Sequence, residues 1–201
     1  PSLFKYIESN QMNYRSQNEG NPSLLVVGPS NPLKNFHLSL SVFKEIKKEI
    51  QNLQLVVTGL IYSPMRKIFQ EYCTQYEGDI HYHPFISRKE FYSIIRNSYA
   101  VLYPSIEEPF GLVAIEAIAL DTPVVGFKSG GLDETISAIY PNLLASQINF
   151  NSILEATRRA IKNKMEGRFK FGLKKLENHF NYTFTYIEMA KRFLTRINEK
   201  L

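Results

Sequence analysis

Residues 99–127 most constrain what this chain can fold into. Residues 99–103, YAVLY, are a continuous apolar and aromatic run, short enough for a strand buried on both faces. Pro104 and Ser105 end it. Residues 111–120 have helical length, and Thr122-Pro123 closes them, because the residue before a proline is pushed out of the helical region. Residues 124–127 are a second buried run, and Gly130-Gly131 follow as a flexible loop.

The rest of the chain repeats this alternation. Strands are predicted at 24–27, 53–58 and 80–85, and helices from about residue 35, at 65–76 and at 88–98. In the first helix Phe36, Leu40, Phe43, Ile46 and Ile50 form an apolar stripe, with Lys44, Lys47, Lys48 and Glu49 on the wet faces. A helix starts after Gly131, with Asp133 and Glu134 in its first turn, where they cap it and complement its dipole. Residues 142–150 read as a short strand and loop. Helices follow at 150–165, 169–180 and 183–201, the last with a stripe of Phe184, Ile187, Ala190, Phe193, Leu194 and Ile197. Strands and helices at this spacing give parallel strands with right-handed crossovers, a Rossmann-like, doubly wound α/β sheet of five or six strands. Residues 1–22 are a polar lead-in or linker, and residues 23–201 are the domain.

Composition narrows the class. With 44% hydrophobic and 21% charged residues the chain is an ordinary soluble globular one, and no stretch approaches the 18 apolar residues of a membrane span. The opening PSLFKYIESN has neither a signal pattern nor an initiator methionine, so a fragment of a longer protein is expected. Cys73 is the single cysteine, so an internal disulfide and a thiolate metal cage are excluded. It is read as an inert structural thiol in a reducing cytoplasm. Residues 1–154 carry 12 Lys+Arg against 14 Asp+Glu, a balance of −2, whereas residues 155–201 carry 12 against 5, a balance of +7. The basic segment is either the solvated outer face of helices or a surface for anionic lipid or nucleic acid. No zinc-finger or RNP-type motif supports nucleic-acid binding. His81 and His83 alternate along a predicted strand, but no third ligand stands at metal-binding spacing.

Glu116 is the oddity. From Leu112 to Leu120 every other residue is apolar, and a helix apolar all round is normally buried. Its carboxylate needs partners, because an unpaired buried charge costs at least several kcal/mol. Two readings stand: a salt bridge to a Lys or Arg elsewhere, or acceptance of hydrogen bonds from a ligand's hydroxyls. Glu108 lies eight positions earlier, in the loop that feeds the helix. Gly111 lets backbone approach a ligand, and the free N–H groups of the first helical turn attract an anion. An anion site flanked by two carboxylates describes a ligand with a diphosphate between two sets of hydroxyls, a nucleotide sugar.

The pattern Glu108-x7-Glu116 within EPFGLVAIEA, preceded by a strand and Pro-Ser, and followed by PVV, Gly130-Gly131 and Glu134, resembles the donor-site signature of the group 1 (family four) retaining glycosyltransferases of the GT-B fold. The resemblance covers about residues 22–200 and corresponds to the carboxyl-terminal half of a family enzyme. It implies that Glu116 binds the ribose hydroxyls and Glu108 the donor sugar. Lys34, with the backbone N–H groups of Phe110, Gly111, Leu112 and Val113, would stabilise the diphosphate. Gly28, Pro84, Phe85, Gly130 and Gly131 complete the implied donor site, with Pro84-Phe85 near the base. Relatives carry arginine directly after the glycine equivalent to Gly28, where this chain has Pro29. The resemblance implies a hexosyl transfer that needs no metal or other cofactor. The acceptor would be a polysaccharide, lipopolysaccharide or glycolipid, held by an amino-terminal half not in this chain. A cytoplasmic place, with peripheral contact at the inner face of the membrane, is implied with it. Two alternatives stay open: an epimerase-like enzyme built on the same architecture, and a non-catalytic nucleotide-sugar-binding or scaffold protein.

Overall fold

The computed structural model describes residues 21–28, 32–137, 139–170 and 174–176. The elements are β1 (Ser23–Val27), α1 (Phe36–Glu49), β2 (Gln54–Thr58), α2 (Ser63–Gln75), β3 (Ile80–His83), α3 (Arg88–Asn97), β4 (Ala100–Tyr103), α4 (Leu112–Ala119), β5 (Val124–Gly126) and α5 (Phe150–Met165). The five strands are all parallel, in the order β3-β2-β1-β4-β5. The crossovers go outward from β1 to β3 and then return through α3 to β4 on the other side of β1. The carboxyl ends of β1 and β4 therefore flank a topological switch point, where open α/β sheets bind ligands.

The central strands are covered on both sides, whereas the edge strand β3 is partly exposed. β4 and β5 are buried at every position, and Leu24, Leu25, Leu55 and Val57 are fully buried. Helix α1 packs against α2 and α5, and α3 packs against α4. On α1 the expected stripe is present: Phe36, Leu40, Phe43 and Ile46 are buried, while Ile50 has become the half-buried C-cap. Helix α3 starts on a capping box in which the Ser87 hydroxyl accepts from the Glu90 N–H and the Glu90 carboxylate accepts from the Ser87 N–H. Helix α5 is capped by Asn149, whose side chain accepts from the Ser152 N–H at 2.8 Å. Its half-buried Lys164 donates to the carbonyls of Asp121 and Arg96 and to the Thr122 hydroxyl, which ties the ends of α3 and α4 to α5.

Four expectations change. Gly130-Gly131 are not a flexible loop: Gly130–Leu132 form one helical turn, continued as a π-helical turn through Asp133–Ser137. Asp133 and Glu134 follow that turn and do not cap it; Ser129 holds the cap position without a side-chain bond, and Asp133 lies 3.8 Å from Lys128. The expected strand in 142–150 is reduced to Ala145, which bridges to Phe127. Turns flank it on both sides, so only one residue reaches ladder geometry. β3 stops at His83, because Pro84 lacks the N–H that a further ladder bond needs. Residues 1–20, Pro29 and most of the two closing helices lie outside the described residues, where 174–176 are helical.

Candidate functional site

The loops that leave β1 and β4 are stitched together by their backbones. After β1 the chain makes a 3-10 turn, Pro32–Lys34, and Asn35 adopts a left-handed conformation. The Ile106 N–H donates to the Leu33 carbonyl at 3.0 Å, and the Asn35 side-chain amide donates to the Pro104 carbonyl at 2.9 Å. This places Lys34 beside the end of β4. Its ammonium donates to Glu108 Oε2 at 2.5 Å and to the Tyr103 hydroxyl at 2.5 Å, and it lies 4.4 Å from the centre of the Tyr103 ring.

Glu108 collects donors on both oxygens. The Ser105 hydroxyl donates to Oε2 and the Gly111 N–H to Oε1, each at 3.2 Å, and the Tyr103 hydroxyl stands beside them on the same Lys34 ammonium. Burial raises the carboxyl's pKa, but the Lys34 ion pair and the hydroxyls outweigh it and hold the group below the usual carboxylate range. Burial, then the charge and hydrogen bond of Glu108, push the Tyr103 phenol up, so it remains protonated.

Gly111 is the N-cap of α4, with φ +78°. The Leu112 and Val113 N–H groups of the first turn have no acceptor among the described residues. Leu112 is half-exposed and Val113 and Phe110 are partly buried, so three of the residues implied for the anion site rim the amino end of α4. Gly28 ends β1 at φ +62°, and a Cβ added there would meet nothing within 4 Å among the described residues. Gly130 and Gly131 face the other way. A Cβ on Gly130 would lie 2.7 Å from the Glu108 carbonyl, and one on Gly131 2.6 Å from Phe110 Cα and from the Pro109 carbonyl. The Gly131 N–H donates to the Glu108 carbonyl at 2.6 Å. These glycines press the loop after β5 against residues 108–110, and so fix the backbone that carries Glu108.

Glu116 sits five residues further along α4 than Gly111, about 7.5 Å along the axis at ~1.5 Å per residue. It is 3% exposed. Of the two readings left open by the sequence, the structure supplies the ion pair: Arg88 Nη2 donates to Oε1 at 2.5 Å, and the Tyr92 hydroxyl reaches the same oxygen at 3.3 Å. Arg88 Nε also donates to the Tyr92 hydroxyl at 2.8 Å. The Arg88 side chain is itself 55% exposed, so the cation comes from the surface and not from the core. Oε2 receives no hydrogen bond among the described residues. Burial is the larger influence here and raises the Glu116 pKa, with Arg88 and Tyr92 opposing. Sequence reasoning missed Arg88 and Tyr92. Their one signal was spacing, two polar-headed side chains at i and i+4 on an amphipathic helix.

The remaining sequence candidates lie apart from this contact network. Phe85 is 80% exposed beyond β3, next to Pro84. His81 is partly buried and His83 exposed, with no third metal ligand beside them among the described residues. Cys73 is partly buried on α2, and burial pushes its thiol up, away from the reactive thiolate.

The profile of the family described as "Glycosyl transferases group 1" matches residues 8–177. The chain belongs to the group 1 glycosyltransferases. Among its relatives, an uncharacterized glycosyltransferase of Methanocaldococcus jannaschii is 28% identical over 73% of this chain and 40% of its own length. The lipopolysaccharide 1,2-N-acetylglucosaminetransferase of Salmonella typhimurium is 29% identical over 70% of this chain and 39% of its own. Sucrose-phosphate synthase of Zea mays is 24% identical over 90% of this chain but 18% of its own. The chain thus spans less than half the length of each of these relatives. Among solved structures, the catalytic domain of starch synthase IV from Arabidopsis thaliana, bound to ADP and acarbose, superposes with a TM-score of 0.65 at 17% identity, over 95% of this chain and 41% of that one. A pneumococcal O-GlcNAc transferase in complex with UDP and GlcNAc gives 0.63 at 18%, over 92% and 37%. These likenesses show the fold: this group 1 chain is one Rossmann-like half of a GT-B architecture.

Proposed function

We propose that this chain is the donor-binding half of a retaining glycosyltransferase, which moves a hexose from a nucleoside-diphosphate sugar to a polysaccharide, lipopolysaccharide or glycolipid acceptor. One observation carries the reading. Lys34 from the β1 side and Glu108 from the β4 side meet at the switch point, against the amino end of α4. In this reading the diphosphate takes over Lys34 and the N–H groups of Phe110, Gly111, Leu112 and Val113. Gly28 leaves room beside them, and Gly130 and Gly131 hold the loop that presents them. Glu108 turns to the hydroxyls of the donor sugar. Glu116 keeps Arg88 on Oε1 and accepts the ribose hydroxyls on Oε2, and the base lies by Pro84-Phe85.

As the sugar–phosphate bond breaks, negative charge builds on the leaving diphosphate. In this reading Lys34, released from Glu108, and the helix N–H groups answer that charge, and preorganised donors of this kind are typically worth ~10²–10³ in rate each. No metal is needed for that charge in this reading. The acceptor hydroxyl comes from an amino-terminal partner half, with peripheral membrane contact and a cytoplasmic site of action. None of the helices among the described residues is long and apolar enough to cross a membrane.

A thermal-shift series with UDP-, GDP- and ADP-hexoses tests this. One nucleotide series should raise the melting temperature of the chain, and Glu116→Ala should abolish that rise while the fold survives. No stabilisation by any of them would favour a scaffold that has lost donor binding, and an undiminished rise in Glu116→Ala would reject the ribose assignment.

A further inference from the structure

We propose that Tyr103 is the positioning residue of this site: its phenol holds Lys34 beside Glu108, and keeps Lys34 in place when Glu108 changes partners. This rests on the donor-binding reading above and adds a residue to it. Tyr103 is the last residue of β4 and is 5% exposed. Its backbone is clamped by β5, where it pairs with Gly126; a Cβ on Gly126 would lie 2.5 Å from the Tyr103 carbonyl oxygen. The ring is therefore fixed by the sheet, whereas Lys34 and Glu108 stand on loops.

Lys34 touches Tyr103 in two ways, through the hydroxyl oxygen at 2.5 Å and over the ring at 4.4 Å. The hydroxyl accepts from the ammonium and stands beside the Glu108 carboxylate, whose ionised form it favours. A lysine stem has four rotatable bonds and aims poorly by itself. A fixed acceptor with a π-face beneath the ammonium restricts it to one direction. When a donor arrives, the diphosphate competes for Lys34 and the sugar for Glu108, so each loses the other. Tyr103 is the one partner neither exchanges. The phenol can serve in both states because it remains protonated, as described above.

Tyr103→Phe keeps the ring in the core and deletes only the hydroxyl, so the variant folds. Two measurements on the whole chain decide. Followed by NMR of ¹³C-labelled glutamate carboxyls, the Glu108 titration midpoint should move up by about half a unit in the variant, because the hydroxyl that favours the ionised form is gone. By calorimetry, the nucleotide sugar that stabilises the wild-type chain should bind about tenfold more weakly. In a Lys34→Met background the same substitution should cost less than about twofold, since the hydroxyl acts through the lysine. An unmoved Glu108 midpoint, or equal penalties in both backgrounds, overturns the assignment. Should the wild-type chain bind no nucleotide sugar, the donor reading falls, while the carboxyl titration still shows whether Tyr103 holds Glu108.

Discussion

Glu108 and Glu116 bracket the amino-terminal part of α4, and each has a cation 2.5 Å from one of its oxygens. Their ionisation moves in opposite directions all the same, down for Glu108 and up for Glu116. The difference lies in what accompanies the cation. Glu108 is on a loop, where a hydroxyl, a phenol and a helix N–H converge with Lys34. Glu116 stands beyond the free N–H groups of the first turn of α4, so burial is met only by Arg88 and Tyr92 on a single oxygen. One salt bridge does not make a carboxylate comfortable. The count of donors and the share of solvent do, because a desolvated charge needs every lone pair answered. The better-served carboxylate is the settled one. The poorly served one keeps an oxygen available for a ligand.

This contrast can be broken at the backbone. Gly131→Ala puts a methyl group 2.6 Å from Phe110 Cα and the Pro109 carbonyl. The loop that carries Glu108 must then shift, while the Arg88–Glu116 pair is untouched. The expected loss is about 3 kcal/mol, the upper end for overpacking, measured as a drop in the urea midpoint. Unchanged stability would mean that the loop is looser than its contacts indicate. Removing the exposed cation should do less. Arg88→Met leaves Glu116 buried with Tyr92 alone and should cost about 1–2 kcal/mol, below the usual loss for a broken buried pair because Arg88 is already half in water. The Glu116 carboxyl should then titrate still higher, which carboxyl NMR would read.

The smallest effect has the sharpest sign. Glu108 titrates lower folded than unfolded, so it stabilises the fold above the ordinary carboxylate value, 4.5, and loses that gain as pH falls through its lowered value. Glu116 titrates higher folded, so its charge penalises folding above that raised value, and the penalty fades as pH falls through it. Glu108→Gln should therefore lower stability at neutral pH, and Glu116→Gln should hold or raise it, with both differences shrinking in acid. Denaturation series from pH 7 down to about 2 compare them directly. A shared sign would show that the two sites do not differ in the way their donors imply.

Much of this was legible in the residues. Apolar runs of four or five placed the strands within a residue or two, and the stripe Phe36, Leu40, Phe43, Ile46 placed α1, because burial periodicity is local. The spacing of Glu108, Gly111 and Glu116 marked the right end of α4. What stayed hidden depends on what one loop meets in another. Gly130-Gly131 look like slack in a sequence, and only the backbone of 108–110 lying against them shows why a side chain is excluded. Arg88 and Glu116 stand 28 residues apart, so their pairing exists only once α3 lies on α4. Ala145 has strand-like neighbours but finds one ladder partner, Phe127, and edge pairing of that kind is settled by the sheet and not by propensity. Tyr103 looked like one more apolar residue of β4, because a phenol's partners cannot be read from a run that is buried throughout.

The closeness of Lys34 and Glu108 also bears on how fast the crevice is found. Opposite charges 2.5 Å apart form a compact dipole, and its field dies away within a few ångströms. A diphosphate drifting toward the switch point meets little long-range pull from this pair. Capture then depends on collision and local rearrangement, and its rate constant should stay nearly level as salt is added in a stopped-flow mixing experiment. A chain with a bare lysine at that position would draw anions of every kind from a distance; this one answers only at contact.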